Sequence, residues 1–320
     1  MTFAHIVHAL AWIGALGWPL TLGVFLWRSR RLKRVRAVQA FTAAVSVAWA
    51  LCVWAFLIEP AGLVVRQVEI ASPAWTGPPV RIGVIADLHV GGPQMSPARV
   101  RRIAARMNAE APDLILLAGD YISNHLGPDE RSARANTALE EGVAALGALE
   151  APLGVVAVLG NHDWWYDGVR VEDWLVAAGL PVLENDAVQI ARGEDSFWVA
   201  GVADYYSDRA QPSFDQALAR VPETDDVIAL GHWPDVFAEA PGRVALTVAG
   251  HSHCGQLNLP ILGRPAVSAG AARWPCGLYE EGGRLLYVTG GIGTSVLPAR
   301  FCAPPEIVVI TLSGAPRPSD

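Results

Sequence analysis

The chain has 320 residues, 52% of them hydrophobic and 17% charged, with a mean hydropathy of +0.30 and a net charge of −7. Soluble globular domains carry about 25% charged residues, so this composition excludes a disordered chain and indicates membrane segments. The negative net charge also argues against nucleic-acid binding, which normally requires a basic face.

The charges divide the chain into two unlike parts. Residues 1–58 contain no acidic side chain, so all 31 acidic residues lie from Glu59 onward. Six of the 24 basic residues lie between 28 and 36, which leaves 18 basic residues against 31 acidic ones, a net charge of −13, for residues 59–320.

The first part, residues 1–58, is predicted to be a transmembrane helical hairpin. Residues 6–27 and 37–58 are two runs of 22 residues without an acidic or strongly basic side chain. A helix of that length covers about 33 Å, enough for a hydrocarbon core of about 30 Å. A cleaved signal peptide is the alternative for the first run, but no basic segment precedes it and a second apolar run follows. The basic loop 28–36 should stay cytoplasmic, which places the rest of the chain on the extracytoplasmic side of the cell (inner) membrane.

The second part is predicted to be an α/β domain at residues 80–312, after a linker at 59–79 that contains a short strand, 63–68. Apolar, β-branched runs predict strands at 80–86, 114–118, 154–159, 227–230 and 244–249. Helical spacing predicts helices at 97–109, 133–149 and 172–178, and a polar tail follows at 313–320.

Each of these five strands is followed at once by side chains that can bind metals. Ligands collect at the carboxyl ends of strands in open α/β sheets, so we expect these side chains to lie close together. Carboxylate, amide and imidazole groups together suit Mn, Fe or Zn. One carboxylate can bridge two such ions about 3.5–4 Å apart, the spacing used in two-metal phosphoester hydrolysis. In chain order the Asp, Asn and His residues that follow these strands are Asp87, His89, Asp120, Asn161, His162, Asp163, His232, His251 and His253.

This ordered series resembles the calcineurin-like metallophosphoesterases over residues 80–312. The segments that carry the resemblance are Asp87-Leu88-His89, Gly119-Asp120, Gly160-Asn161-His162-Asp163, Gly231-His232 and Gly250-His251-Ser252-His253. The apolar hairpin, the Glu59-Pro60 junction and residues 293–306 are similar to the membrane-anchored, YkuE-like branch of that family.

The resemblance implies a four-layer α/β/β/α sandwich and a site for two divalent metal ions. Asp120 would bridge the two ions, and a water held between them would become the nucleophile near neutral pH. His162 would not be a ligand but would face the leaving group, as proton donor or electrostatic stabiliser. The implied ligands are Asp87, His89, Asp120 and His253 for one ion and Asp120, Asn161, His232 and His251 for the other.

The implied function is a membrane-anchored metal-dependent hydrolase of a phosphodiester or pyrophosphate bond. Some relatives in this branch cleave UDP-2,3-diacylglucosamine in lipid A synthesis, so a lipid-linked pyrophosphate is a candidate substrate. That substrate is cytoplasmic, whereas the charge rule places this domain outside. Protein phosphatases of the family carry an Asp three residues after the bridging Asp, and Ser123 stands there in this chain, which disfavours that activity. The alternative function is a non-catalytic metal-binding scaffold on the same fold.

Aromatic residues next to the motifs have two interpretations. Trp164 and Trp165 follow the Asn161–Asp163 segment, and Trp233 follows His232. These rings either form an apolar rim that admits a lipid tail or pack in the core.

The roles of the cysteines and of the substrate-binding residues stay open. Cys276 and Cys302 could form a disulfide if the domain is exported to an oxidising compartment. Cys254, next to His253, is expected to have a packing role. Arg300 and His125 are the candidates for substrate binding.

Overall fold

The computed structural model describes residues 3–29, 35–123, 127–265, 267 and 271–315. Of the predicted basic loop and polar tail, residues 30–34 and 316–320 lie outside this part of the chain. Helices α1 (Phe3–Ser29) and α2 (Val35–Val53) come first. A π-helical turn, Trp54–Ile58, and a 3-10 turn, Glu59–Ala61, then lead from α2 into the domain.

The two N-terminal helices form an antiparallel pair whose surface is mostly exposed. Trp49 Nε1 in α2 donates to the carbonyl oxygen of Gly14 in α1 at 3.1 Å. The segments Phe3–Phe25 and Arg36–Ala61 are long and apolar enough to cross a membrane, with 0% and 17% of their most apolar windows buried. A secretion signal shares this length and composition, so the structure establishes an apolar helical pair and not its insertion in a membrane.

The domain contains two β-sheets, and the predicted α/β class is confirmed. The strands are β1 (Val64–Ser72), β2 (Val80–Ile85), β3 (Leu114–Ala118), β4 (Val155–Val158), β5 (Asp186–Arg192), β6 (Asp195–Gly201), β7 (Val227–Leu230), β8 (Val244–Ala249), β9 (Gly277–Glu281), β10 (Arg284–Val288) and β11 (Glu306–Gly314). The first sheet has the strand order β1-β11-β2-β3-β4, and the second has the order β5-β6-β7-β8-β10-β9.

Several elements differ from the sequence-based expectation. Strand β1 is longer than the predicted strand at 63–68 and pairs in parallel with β11, so the middle of the expected linker forms the edge of the first sheet. The helix expected at 172–178 begins at Asn161, because the Asn161–Asp163 segment itself forms its first turn. The helices of the domain are α3 (Pro97–Asn108), α4 (Ala133–Ala144), α5 (Asn161–Ala177) and α6 (Phe214–Ala217).

Three buried apolar clusters hold these elements together. In the first, Ile103 of α3 and Leu139 of α4 pack on the outer face of the first sheet. In the second, Val84 and Val199 lie between the two sheets, and in the third Phe237 packs on the outer face of the second sheet. Strands β2, β3 and β4 are parallel to one another, as are β6, β7 and β8. Their carboxyl ends therefore carry the loops that build the site.

Candidate metal centre

The structure gathers all seven predicted ligand residues at one edge of the sandwich. Each residue lies in the loop or turn that follows β2, β3, β4, β7 or β8. Six of them are buried, and His251 is half-buried. The seven are Asp87, His89, Asp120, Asn161, His232, His251 and His253.

The backbone of five of these residues lies in the left-handed region. The φ angles are 53° at Asp87, 51° at His89, 57° at Asp120, 66° at His251 and 50° at His253. A residue with a Cβ pays about 1–2 kcal/mol in this conformation, and such strain is typical of functional sites. The tight turns that aim these side chains inward are therefore held in place by the rest of the fold.

One group of side chains consists of Asp87, His89, Asp120 and His253, whose ligand atoms all lie within 4.8 Å of one another. The Nε2 atoms of His89 and His253 are 3.0 Å apart. Asp120 Oδ2 lies 3.6 Å from His89 Nε2, and Asp87 Oδ1 lies 3.6 Å from His253 Nε2. Four donor atoms thus surround one point, as a metal ion requires.

A second group shares Asp120 and adds His232 and His251. His232 Nε2 lies 3.4 Å from Asp120 Oδ2 and 3.2 Å from His251 Nδ1. It also lies 3.2 Å from Asn161 Oδ1. Asp120 Oδ2 is therefore within 3.6 Å of one imidazole in each group, which is the geometry expected of a bridging carboxylate.

The charge states of the side chains in the cluster favour the binding of cations. Burial lowers the pKa of His89 and of His251 to about 3, so these imidazoles are neutral at pH 7, which is the form that binds metals. Burial raises the pKa of Asp87 to about 7. Burial also opposes the charging of His232, but the negative charge of Asp120 outweighs it and raises the pKa of His232 to about 10. At pH 7 the positive charge of the cluster therefore lies on His232, beside Asp120, and a divalent ion bound there would take the place of that proton.

Asp163 supports Asp120 from behind, a role that the sequence analysis did not assign. Its carboxylate accepts hydrogen bonds from the backbone N–H groups of Gly160, Asp120 and Tyr121, each at 2.9 Å, and of Ile122 at 3.3 Å. The signal in the sequence is an acidic residue three positions after the residue that caps α5, an arrangement typical of a helix start. Asp163 fixes the turn that presents Asp120.

Replacing Asp163 with Asn should destabilise this turn. Asn has one acceptor oxygen, so some of the four N–H groups would face an NH₂ group, at a cost of about 1–3 kcal/mol for each donor left unpaired. We expect the melting temperature to fall by at least about 4 °C and metal binding to weaken. Calorimetry and metal analysis measure both effects. Asp173→Asn, at an exposed position of the same helix, is the control, and an unchanged D163N protein would contradict the assigned role.

His162 lies beside the ligands without joining either group. Its ring centroid is 4.6 Å from that of His89, and its Nε2 lies 3.3 Å from Ser295 Oγ. Its backbone N–H donates to Asp120 Oδ1 at 2.8 Å. The side chain lines a cavity of about 440 Å³ that also reaches His251 and His253. His162 is therefore positioned to touch a molecule bound at the cluster.

Aromatic side chains form one wall of this cavity, but they are not the predicted set. Trp165, Tyr206 and Trp233 line it, and Tyr206 contacts the other two rings at centroid distances of 5.2 and 6.1 Å. Trp164 is buried and packs against Gly168 and the Arg209 guanidinium instead. The rim interpretation is thus wrong for Trp164, because adjacent helical residues point about 100° apart.

Asp204 orients this aromatic wall and was missed by the sequence analysis. Asp204 Oδ2 accepts from Trp233 Nε1 at 2.9 Å, and its Oδ1 accepts from the backbone N–H of Tyr206 at 2.8 Å. Burial raises the pKa of Asp204 to about 6. Asp204 follows strand β6, just as the candidate ligands follow their own strands. This position in the sequence could have marked Asp204 as a site residue.

The expected cysteine pair and substrate arginine are both corrected. Cys276 forms a disulfide with Cys254, whose Cα lies 4.8 Å away, whereas Cys302 is free and exposed. The expected packing role of Cys254 is therefore also wrong. Arg300 is fully buried, and its guanidinium donates to the carbonyl oxygens of Gly290, Gly293 and Ala303, so it is occupied within the fold. His125 lies outside the described residues.

Comparison with known proteins adds independent information. Residues 80–255 match the family described as calcineurin-like phosphoesterase. The chain is 30% identical to the uncharacterized metallophosphoesterase YkuE of Bacillus subtilis, over 67% of this chain and 72% of YkuE. It is 29% identical to the phosphodiesterase YaeI of Escherichia coli, over 73% and 82% of the two chains. It is 25% identical to the UDP-2,3-diacylglucosamine pyrophosphatase LpxG of Chlamydia trachomatis, over 81% and 92%.

Proposed function

Since the chain belongs to the calcineurin-like phosphoesterase family, we propose that it is a membrane-anchored, dinuclear-metal hydrolase of phosphodiester or pyrophosphate bonds. The observation that carries this proposal is the position of Asp120, whose Oδ2 faces His89 of one ligand group and His232 of the other. A single shared carboxylate oxygen is the arrangement that a two-metal phosphoester site needs.

The proposed ligands of one ion are Asp87, His89, Asp120 and His253, and those of the other are Asp120, Asn161, His232 and His251. Mixed oxygen and nitrogen donors favour Mn, Fe or Zn. When bound, two such ions supply Lewis acidity and lower the pKa of a water molecule. Asp163 and the strained turns hold the ligands in place before any substrate arrives.

His162 is proposed to act on the leaving group. It lies on the cavity side of the cluster, within reach of a phosphoester held there. A protonated imidazole at that position donates a proton to the departing oxygen or stabilises the charge on the phosphoryl group. The imidazole is held in this orientation by its contact with Ser295 Oγ and by the Trp165 ring. The centroids of the His162 and Trp165 rings are 4.7 Å apart.

The proposed substrate is a lipid-linked phosphoester or pyrophosphate. The aromatic wall formed by Trp165, Tyr206 and Trp233 offers an apolar surface next to the charged centre, which suits an amphiphile. The likeness to LpxG supports UDP-2,3-diacylglucosamine as one candidate. The likeness to YaeI supports a phosphodiester more generally.

A variant of the aromatic wall that leaves the Trp165 ring beside His162 in place tests the lipid substrate. Tyr206→Ala should raise KM for a lipid phosphodiester about fivefold or more, because a large apolar contact is lost. The rate with a small chromogenic phosphodiester should change much less. Trp198→Ala, on the outer face of the second sheet, is the control. Equal losses for both substrates would show that the wall serves the catalytic centre and not a lipid tail.

The anchor is proposed to be the α1–α2 hairpin, with the domain on the extracytoplasmic side. The six basic residues at 28–36 and the exposed apolar helices support it. The Cys254–Cys276 disulfide supports the same side, since such bonds persist in oxidising compartments.

Reporter fusions after Asp320 test this topology. With the domain outside, fused alkaline phosphatase should be active and fused green fluorescent protein dark, and envelope phosphoesters would be the substrates to assay. Cys276 should also resist thiol reagents until a reductant is added. The opposite fusion result would overturn the charge argument and make UDP-2,3-diacylglucosamine the first substrate to test.

A further inference from the structure

The segment 257–265 forms a small hairpin that holds two adjacent apolar side chains in solvent. Leu259 and Gly263 pair across the turn by two backbone hydrogen bonds, of 2.7 and 2.9 Å. At the tip, Ile261 is fully exposed and Leu262 is 74% exposed. These two aliphatic side chains form an exposed apolar patch that the described part of the fold does not cover.

The base of this hairpin is fixed beside the end of the apolar helical pair. Asn258 N–H donates to the carbonyl oxygen of Phe301 at 2.8 Å, and the neighbouring Arg300 N–H donates to that of Ala55 at 2.9 Å. Glu59, just after the helical turn, accepts from the N–H groups of Cys302 and Ala303. Residues 300–303 thus connect the hairpin to the point where the helices meet the domain.

Both helices meet the domain at this same end. Gln94 Nε2 lies 3.2 Å from His8 Nδ1 near the start of α1 and donates at 3.1 Å to the carbonyl oxygen of Phe56, just after α2. The same amide lies 3.5 Å from the carbonyl oxygen of Pro298. A membrane crossed by the helices would therefore begin next to residues 298–303.

The catalytic cavity is continuous with this region. Val296, which is 70% exposed, lies on the cavity rim next to Ser295. The Gln256 side chain accepts from Ser295 N–H at 2.6 Å and donates to Ser295 O at 2.9 Å. Gln256 immediately precedes the hairpin, so these hydrogen bonds connect the hairpin to the Val296 loop at the cavity mouth.

The charge pattern favours a lipid surface over a protein partner for this region. Residues 240–279 and 282–305 contain no acidic side chain, although residues 59–320 hold all 31 acidic residues of the chain. Arg264 lies within the hairpin next to the apolar tip. A face without negative charge that carries apolar tips is suited to a phospholipid headgroup layer, which is anionic or zwitterionic.

We propose that Ile261 and Leu262, together with Val296, insert into the membrane interface beside the helical pair and hold the catalytic cavity open to the lipid layer. The proposal rests on the membrane anchor proposed above and names the route of the substrate, which would enter from the bilayer and not from solution. The binding partner is the lipid interface itself.

Site-specific quenching in nanodiscs tests this placement with the full-length protein. An environment-sensitive fluorophore is attached at one of three positions: native Cys52 in a Cys302→Ser protein, or Leu262→Cys or Val176→Cys in a Cys52→Ser, Cys302→Ser protein. The discs contain phosphatidylcholine, phosphatidylglycerol and nitroxide-labelled lipid. Val176 is exposed near the end of α5, away from the carboxyl ends of the strands, and serves as the control.

We expect the labels at 52 and 262 to be quenched by the lipid nitroxide and the label at 176 to be unaffected. Quenching at 52 but not at 262 would overturn this proposal and leave the anchor intact. No quenching at 52 would overturn the anchor and the proposal together. Since quenching requires no turnover, neither result depends on the catalytic assignment.

The functional test is the double variant Ile261→Ser, Leu262→Ser. Loss of two inserted aliphatic side chains should lower the rate on a lipid phosphodiester in vesicles by at least about tenfold. The rate on a small soluble phosphodiester should be unchanged, and Val176→Ser should leave both rates unchanged. An I261S/L262S protein with full activity on vesicles would overturn the proposed route of the substrate.

Discussion

Replacing Asp120 with Asn is expected to lower the rate of phosphoester hydrolysis by at least about 10³-fold, because a bound metal contributes several kcal/mol to catalysis. The amide has nearly the same shape as the carboxylate but no negative charge, and only one oxygen remains to contact the two ligand groups. We expect the protein to fold and to bind at most one ion. Metal analysis by mass spectrometry and single-turnover rates measure the two effects.

The exposed Asp129 provides the matched control, since Asp129→Asn removes the same charge away from the cluster. D129N should keep both its metal content and its rate. If D120N lost its turnover but kept its biological activity, the protein would act as a non-catalytic scaffold. If D120N kept two ions and full turnover, Asp120 would not be the bridging ligand.

Replacing His162 with Ala is expected to leave the metal content unchanged and to lower turnover about 10²–10⁴-fold, the range for a lost general acid. The metals should stay because the contact that His162 makes with Asp120 runs through its backbone N–H, which Ala retains. Metal analysis and kcat on purified protein measure both.

Leaving groups of different basicity separate the two roles considered for His162. If it donates a proton, H162A should lose far less activity with a nitrophenyl ester than with an alkyl ester, since nitrophenolate leaves without a proton. If it stabilises phosphoryl charge, the two losses should be equal. Loss of the metals from H162A would show that the side chain belongs to the ligand set.

The sequence was informative about the site because strand ends and ligands coincide. Apolar runs as short as 114–118 and 227–230 have the bounds found in the structure, and each delivers a ligand at its carboxyl end. The parallel strands of both sheets end at the same edge of the sandwich, which brings together residues that are far apart in the chain, such as Asp87 after β2 and His253 after β8. Local pattern and global topology therefore point to the same cluster.

Features that depend on distances in the folded protein could not be predicted from the sequence. The pairing of Cys254 with Cys276 instead of Cys302 depends on where two loops cross, which no spacing rule states. The role of Asp163 depends on hydrogen bonds from four backbone N–H groups. Nearly every residue has such a group, so the sequence does not show which of them a side chain will reach. The burial of Trp164 beside the exposed edge of Trp165 depends on the rotation of a helix whose start was predicted eleven residues too late.

The left-handed backbone at five candidate ligand residues has a consequence for how the protein matures. If each turn costs about 1–2 kcal/mol, the five together cost about as much as the whole net stability of an average domain, about 5–15 kcal/mol. Metal affinity that offsets this cost becomes part of the folding free energy. The identity of the bound metal would then depend on the ions available in the compartment where the chain folds. The ions in the compartment where the finished enzyme meets its substrate would matter less.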